Sequence, residues 1–212
     1  ICAHRCQNKC SRNFYDESVH IRDTKLVAAE NGYGALMASL KPTAKLPGKK
    51  AAIIGGGPTG IAAAYFLARG GVETTIFERE AKLGGVPRYV IPAFRISDEA
   101  LDKDVALMER LGVEVKCGAP APSVDELKKM GYTHILMATG AWQAGELGIP
   151  GNVKGVIGWM KEMKQQVKPC LEGHVVVVGA GNTAMDAARV AKRMGAASST
   201  IVYRRTKKEM PA

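Results

Sequence analysis

Residues 51–78 decide the fold of this chain and read AAIIGGGPTGIAAAYFLARGGVETTIFE. An apolar segment typical of a β-strand runs directly into Gly55-x-Gly57-x-x-Gly60, and a run of helix-forming residues follows. A second β-type segment ends on an acidic residue, Glu78, about twenty residues beyond the glycines. Strand, glycine-rich turn, helix, strand and terminal acid in this order predict a dinucleotide-binding unit.

Each residue of this fingerprint has its own predicted task. Gly55 permits the tight turn, Gly57 lets backbone N–H groups approach a pyrophosphate, and Gly60 lets the helix pack on the strand. The N-terminus of the helix adds partial positive charge for the phosphates. Glu78 is placed to accept hydrogen bonds from ribose hydroxyls.

The chain repeats this pattern between residues 174 and 205. A β-type run leads into Gly179-x-Gly181-x-x-Ala184, and a helix and a further strand follow. The position equivalent to Glu78 is held by Arg204, with Arg205 beside it. A carboxylate repels a 2′-phosphate whereas a guanidinium pairs with it, so the first unit suits FAD or NAD and the second suits NADP.

The segments between the fingerprints predict further α/β elements. Ser97 caps a helix reaching about Leu111, strands cover 113–116 and 133–138, and Ser123-x-x-Glu126 is a capping box.

Gly84-Gly85 either brings the backbone close to a cofactor or forms a simple turn. Thr139-Gly140 follows a strand end, where α/β sheets meet ligands. We predict a helix over 16–29 and irregular structure over 87–95.

Cys2, Cys6 and Cys10 form a regular triplet near His4 and His20. Three soft thiolates fit an incomplete iron–sulfur ligand set, or zinc completed by a histidine, or they serve no ligand at all. Cys117 and Cys170 stand alone, so the cysteines do not form a secreted disulfide framework and indicate a reducing cytoplasm.

The formal net charge of +10 restricts the partners that we consider. Aromatic residues make up only 6% of the chain and no basic helix stands out, which argues against a nucleic-acid partner. Anionic cofactors and an acidic redox partner account for the charge better. No apolar run approaches the ~20 residues of a membrane span, and we find no signal peptide.

Several longer motifs resemble one family. They are LGGVPRYVIPAFR at 83–95, ATGA at 138–141, GNTAMDAAR at 181–189, VYRR at 202–205 and MPA at 210–212. With the two fingerprints, they resemble the NADPH-dependent glutamate synthase small-chain family, which includes dihydropyrimidine dehydrogenase and selenate-reductase-like proteins. The resemblance covers essentially the whole chain.

The resemblance implies an α/β fold with two Rossmann-like units, the second truncated, after a short helical segment containing the cysteines. We expect a helical ferredoxin-like part over 1–40, a linker over 41–50, an FAD unit over 51–150 and an NADP unit over 151–212. The implied FAD contacts are Gly55, Gly57, Pro58, Thr59, Gly60, Glu78, Arg79, Gly84, Gly85, Val86, Arg88, Thr139 and Gly140. The implied NADP contacts are Gly179, Gly181, Asn182, Thr183, Ala184, Asp186, Arg204 and Arg205.

The resemblance further implies that Cys2, Cys6 and Cys10 ligate [4Fe–4S] clusters whose other ligands lie outside this sequence, which we therefore expect to be a fragment. The expected function is electron transfer from NADPH through FAD to the clusters, with no protein acid or base. The alternatives are a module that only delivers electrons to a separate catalytic subunit, and a zinc-stabilised nucleic-acid binder. A lipoamide-dehydrogenase-like enzyme lacks its redox disulfide here, and a thioredoxin-reductase-like enzyme lacks its Cys-x-x-Cys.

Overall fold

The structure, a computed structural model, describes residues 2, 4–143, 145 and 147–211. The helices are α1 (Arg5–Asn8), α2 (Ile21–Ser39), α3 (Pro58–Arg69), α4 (Gly85–Tyr89), α5 (Asp98–Glu109), α6 (Val124–Lys129), α7 (Val156–Gln165) and α8 (Asn182–Arg193). The strands are β1 (Lys50–Ile54), β2 (Glu73–Glu78), β3 (Glu114–Cys117), β4 (His134–Met137), β5 (His174–Val178) and β6 (Ser198–Val202). Short 3-10 helices cover Ser11–Phe14 and Lys207–Glu209.

The first sheet has four parallel strands in the order β3-β2-β1-β4. Both of its faces are covered. On one face Ile53 and Ile76 are fully buried with Met108 of α5 and with small residues of α3. On the other, Phe77 packs with Leu127 of α6. Because all four strands run the same way, their carboxyl ends meet at one edge, which is where such sheets bind ligands.

The second sheet pairs β5 and β6 in parallel, with Val178 opposite Val202. Helix α8 packs on this pair through the buried alanines Ala184, Ala187, Ala188 and Ala191. Helix α7 packs beside α8, and its Met160 is buried with Ala187 and with Val90 of the first unit. Two strand–turn–helix–strand units are therefore present, which confirms the predicted α/β class.

Most local predictions between the fingerprints are confirmed. Ser97 caps α5 by accepting a hydrogen bond from the Ala100 N–H at 3.3 Å. Ser123 and Glu126 form both hydrogen bonds of the capping box that opens α6. The strands predicted over 113–116 and 133–138 are β3 and β4, and both ends of each differ from the prediction by one residue.

The helix predicted over 16–29 is present as α2, but its predicted bounds are wrong. Asp16 pairs with Arg12 across the preceding turn, the next residues are not helical, and α2 begins only at Ile21. It then continues through Gly32 and Gly34 to Ser39, and the good helix formers Ala35, Leu36 and Met37 follow the two glycines.

The irregular stretch predicted over 87–95 is only partly correct, since α4 occupies Gly85–Tyr89. Helix α7 was not predicted. The segment expected to be a linker is fixed at two points, where Thr43 Oγ1 donates to the Arg69 carbonyl at 3.1 Å and the Leu46 N–H donates to the Gly71 carbonyl at 2.7 Å. The proposed domain limits stay predictions, and the last residue of the MPA motif lies outside the described residues.

Within the described ranges, we find no helix that combines the length and the apolar character needed to cross a membrane.

Candidate dinucleotide-binding sites

The first site is built where β1 turns into α3. Gly55 has φ +108°, and a Cβ there would lie 2.3 Å from the Ala138 carbonyl oxygen. Gly60 is tighter still, since a Cβ would lie 2.0 Å from the Gly55 oxygen. Gly85 has φ +56° and its Cβ would lie 2.8 Å from the Gly57 Cα. These glycines bring three backbone segments together around an open space that side chains would fill.

The start of α3 offers donors to this space. The N-cap residue Gly57 has no side chain that could accept a hydrogen bond from the first turn of α3, and Pro58 has no N–H. The Ile61 N–H is the first that bonds within the helix, to the Gly57 carbonyl. The N–H groups at the beginning of α3 therefore face the space with the positive end of the helix dipole. This arrangement fits the pyrophosphate of a dinucleotide.

The resulting cavity has a volume of about 450 Å³, which lies within the usual range for ligand pockets. Ten of the predicted FAD contacts line it, namely Gly55, Gly57, Pro58, Thr59, Glu78, Arg79, Gly85, Val86, Thr139 and Gly140. Gly60, Gly84 and Arg88 do not line it, although Gly60 and Gly84 hold its walls in place. The residues present therefore fit FAD.

Glu78 is buried and already has two hydrogen-bond donors. Its Oε2 accepts from the Gly56 N–H at 2.6 Å and its Oε1 accepts from the Glu80 N–H at 2.9 Å. The acid therefore holds the glycine turn against β2, and each oxygen keeps a further lone pair for the predicted ribose contact.

The guanidinium of Arg88 is directed away from the cavity. It is buried, donates to the Leu83 carbonyl, and pairs with Asp102 and with Asp98 of α5, the latter at 3.5 Å. These contacts tie α4 to α5. A cofactor contact from Arg88 stays a prediction, and the structure gives its side chain a supporting position.

Trp142 lines the cavity and was not among the predicted contacts. The Arg79 guanidinium lies 5.3 Å and the Lys161 ammonium 5.6 Å from its ring centre. Lys161 also donates to Glu80 at 2.6 Å. This cluster joins the segment after β2, the segment after β4, and α7 beside the cavity. In the sequence, the signal for this contact is a tryptophan shortly after the strand predicted over 133–138.

The second site is built where β5 turns into α8. Gly179 has φ +127°, and a Cβ there would lie 3.7 Å from the Ala184 Cβ, which is ordinary contact. The N-cap residue Gly181 has no side chain that could cap α8, so the first N–H groups of this helix are available to an anion. Ala184 stands where the first unit has Gly60, so this turn accommodates a methyl group that the first turn excludes.

Arg204 and Arg205 follow the end of β6, which pairs with β5 as far as Val178. Both are exposed, and among the residues that the structure describes neither has an ion-pair or side-chain hydrogen-bond partner. Parallel pairing places the arginines at the same sheet edge as the Gly179 turn. Two exposed guanidinium groups at the same sheet edge as the predicted phosphate-binding turn fit NADP.

The other predicted NADP contacts lie at the start of α8. Asn182, Thr183 and Asp186 line a second cavity of about 260 Å³ between the two units. Asp186 is buried, and its Oδ1 lies 3.4 Å from Nε of Arg95 in the first unit. Val86 lines both cavities, so the two predicted sites adjoin there.

The structure does not bring the predicted metal ligands together. Cys2 and Cys6 are exposed and Cys10 is half-buried, and no group of three potential ligands close enough to hold a metal ion occurs in residues 2, 4–143, 145 and 147–211. Hydrogen bonds from the backbone at Val19 and Arg12 lower the pKa of the Cys10 thiol. The donors described do not by themselves fit a cluster, and cluster ligation stays a prediction.

Comparison with known proteins identifies the family. Residues 49–211 match the family described as pyridine nucleotide-disulphide oxidoreductase, and the chain belongs to it. The predicted resemblance is also confirmed, because the glutamate synthase [NADPH] small chain of Escherichia coli (strain K12) is 30% identical over 97% of this chain and 47% of its own.

Two relatives are more similar in sequence. YgfK of Escherichia coli (strain K12), provisionally named an oxidoreductase, is 42% identical over 100% of this chain. The NADPH-Fe(3+) oxidoreductase subunit beta of Geobacter sulfurreducens is 36% identical over 100% of this chain. The chain spans 21% of the length of the first and 33% of the second. These relatives are oxidoreductases.

Solved structures support the fold. Thioredoxin reductase from Lactococcus lactis matches with a TM-score of 0.53 and 26% identity, over 75% of this chain and 57% of its own. A complex of 2-naphthoyl-CoA reductase matches with a TM-score of 0.58 and 22% identity, over 82% and 26%. The latter shows the fold alone. The present sequence has no Cys-x-x-Cys pair, as the sequence analysis noted.

Proposed function

We propose that this chain supplies the FAD and NADPH sites of a flavoprotein oxidoreductase of the glutamate synthase small-chain type. When bound, FAD would accept a hydride from NADPH and release the two electrons onward singly. The observation that supports this most is the opposite charge of two equivalent positions. The first unit ends β2 on the buried acid Glu78, whereas the second follows β6 with the exposed Arg204 and Arg205.

In this proposal, the residues of the chain bind and orient the two nucleotides. The α3 N-terminus and the Gly55–Gly57 turn hold the FAD pyrophosphate, and Glu78 holds that turn and the ribose. The α8 N-terminus holds the NADPH pyrophosphate, and the two arginines select its 2′-phosphate. We assign no proton transfer to a side chain, since hydride transfer to a flavin does not require one.

We propose that electrons leave toward an acidic redox partner, which suits the net charge of +10. Ligation of clusters by Cys2, Cys6 and Cys10 remains part of the expectation from the family, but no electron step is assigned to them. All five cysteines are free, which supports a reducing, cytoplasmic location. The same charge would equally serve a module that only delivers electrons to a separate catalytic subunit.

An anaerobic titration tests the proposal. The FAD-loaded protein is titrated with NADPH and separately with NADH while the visible flavin absorption is followed. We expect NADPH to bleach the flavin and NADH to do so only at much higher concentration. In the double variant R204Q/R205Q, the NADPH requirement should rise about tenfold or more, since a hydrogen bond between charged groups contributes about 1.5–3 kcal/mol.

The matched control is K207Q/K208Q, which removes the same charge from the adjacent 3-10 helix and should leave the NADPH requirement within about twofold. Equal bleaching by NADH and NADPH would overturn the role of the two arginines. Failure of the protein to take up FAD would overturn the assignment of the first site.

A further inference from the structure

The segment Phe94–Arg95 of the first unit lies against one face of α8 in the second unit. Nε of Arg95 is 3.4 Å from Oδ1 of Asp186. The guanidinium groups of Arg189 and Arg193 form cation–π contacts with the Phe94 ring. Their Cζ atoms lie 4.7 Å and 3.9 Å from the ring centre. Positions 186, 189 and 193 follow helical spacing, so one face of α8 makes all three contacts.

Asp186 is an unusual residue to find at such a contact. Only 10% of its side chain is exposed, against 33% for Arg95. A carboxylate that is nearly buried requires a cation nearby, and removing that cation leaves an uncompensated charge. The pair therefore differs from the exposed ion pairs of this chain, such as Lys154–Glu162 at the same 3.4 Å.

The contact lies where the two predicted sites adjoin. Arg95 and Asp186 line the 260 Å³ cavity together with Asn182 and Thr183 at the start of α8. Val86 lines both this cavity and the one assigned to FAD. A shift of α8 relative to residues 94 and 95 would therefore move one site relative to the other.

Helix α7 makes further contacts between the two units. Lys164 donates to the Ile91 carbonyl at 2.6 Å, and Met160 is buried with Val90 and Ala187. The apolar contact holds the units together, whereas the charged contact restricts the direction in which α8 points.

We infer that Asp186 and Arg95 are positioning residues, whose pairing sets the direction in which the NADPH site faces the flavin site. The inference rests on the proposed function. It assigns the Asp186 carboxylate to the contact between the units and not to the nucleotide, and it makes neither side chain a ligand of FAD or NADPH.

The test uses D186N, R95Q and the double variant in the FAD-loaded protein. We expect the limiting rate of flavin reduction at saturating NADPH to fall about tenfold or more in each single variant, because small misplacements of reacting groups are costly. FAD content and the dissociation constant of NADP⁺ should stay within about twofold. The double variant should be no slower than the slower single variant, since the two residues act as one unit.

Hydrogen exchange of the ligand-free protein gives a readout that is independent of activity. D186N should speed amide exchange over residues 90–96, and E162Q, which breaks the exposed Lys154–Glu162 pair, should leave both exchange and rate unchanged. Unaltered exchange over 90–96 in D186N would overturn the inference, whether or not NADPH reduces the flavin.

Two other results would also overturn it. Weaker NADP⁺ binding by D186N at an unchanged limiting rate would make Asp186 a nucleotide ligand, and loss of FAD from R95Q would make Arg95 a cofactor ligand. If NADPH failed to reduce the flavin of the unsubstituted protein, the proposed function would fall, and the exchange result would still decide whether the contact exists.

Discussion

Gly60 shows how one missing methyl group shapes the first site. A Cβ at this position would lie 2.0 Å from the Gly55 oxygen, a distance that no packing change of a flexible side chain can relieve because the obstacle is backbone. At the equivalent position of the second site, Ala184 is accommodated at 3.7 Å from where a Gly179 Cβ would lie. The second turn therefore holds a methyl group where the backbone of the first turn leaves no room for one.

We predict that G60A lowers the free energy of unfolding by about 1–3 kcal/mol and reduces FAD content, because α3 must move away from β1. The control is G34A in α2, where nothing lies within 4 Å of the added methyl group. G34A should raise the free energy of unfolding by about 0.5–1 kcal/mol through helix propensity. Urea denaturation and flavin absorption measure both quantities, and equal stability of the two variants would contradict the close packing.

At the scale of the element, one residue both stabilises helix α6 and lines the first site. Ser123 caps α6 and also lines the cavity of the first site. Both its hydroxyl and its backbone N–H bond to the Glu126 carboxylate, at 2.7 Å and 2.8 Å, and these hydrogen bonds lower the pKa of Glu126. The capping box was predicted from the sequence because all of its partners lie within four residues.

We predict that S123A lowers the free energy of unfolding by about 1 kcal/mol at neutral pH. A carboxyl group whose pKa is lowered on folding stabilises the protein above its unfolded pKa, and this stabilisation is lost as the pH falls through the folded pKa. The difference between S123A and the unsubstituted protein should therefore narrow in acid. S123T keeps the hydroxyl and should behave nearly as the unsubstituted protein in the same urea series, whereas a difference that grows in acid would argue against the Glu126 contact.

The first and last residues of helix α2 could not be predicted from the sequence. Composition permits a helix from Asp16, but Asp16 pairs with Arg12 in the preceding turn and helical structure starts five residues later, at Ile21. Gly32 and Gly34 disfavour a helix, yet α2 runs through both of them to Ser39. A competition between side-chain pairing and helix formation decides such an end, and the residue pattern alone does not contain its outcome.

At the scale of the whole molecule, the sequence predicted two units and their different charges but not how they meet. Fingerprints are local patterns, so the glycine turns, Glu78 and the two arginines could be located from spacing. The contact of Arg95 with Asp186 joins residues 91 positions apart, and α7 bridges the units through Lys161 and Lys164. Such contacts depend on the packing of finished elements. The same holds for Arg88, which its motif places near the cofactor and which the structure turns toward α5.

A structure of the protein with both FAD and NADP⁺ bound tests the central claim most directly, which is that the two fingerprints hold different nucleotides. We expect the FAD pyrophosphate at the start of α3, in the 450 Å³ cavity, and NADP⁺ at the start of α8 with its 2′-phosphate against Arg204 and Arg205. NADP⁺ found at the first fingerprint, or a 2′-phosphate bound away from both arginines, would contradict it.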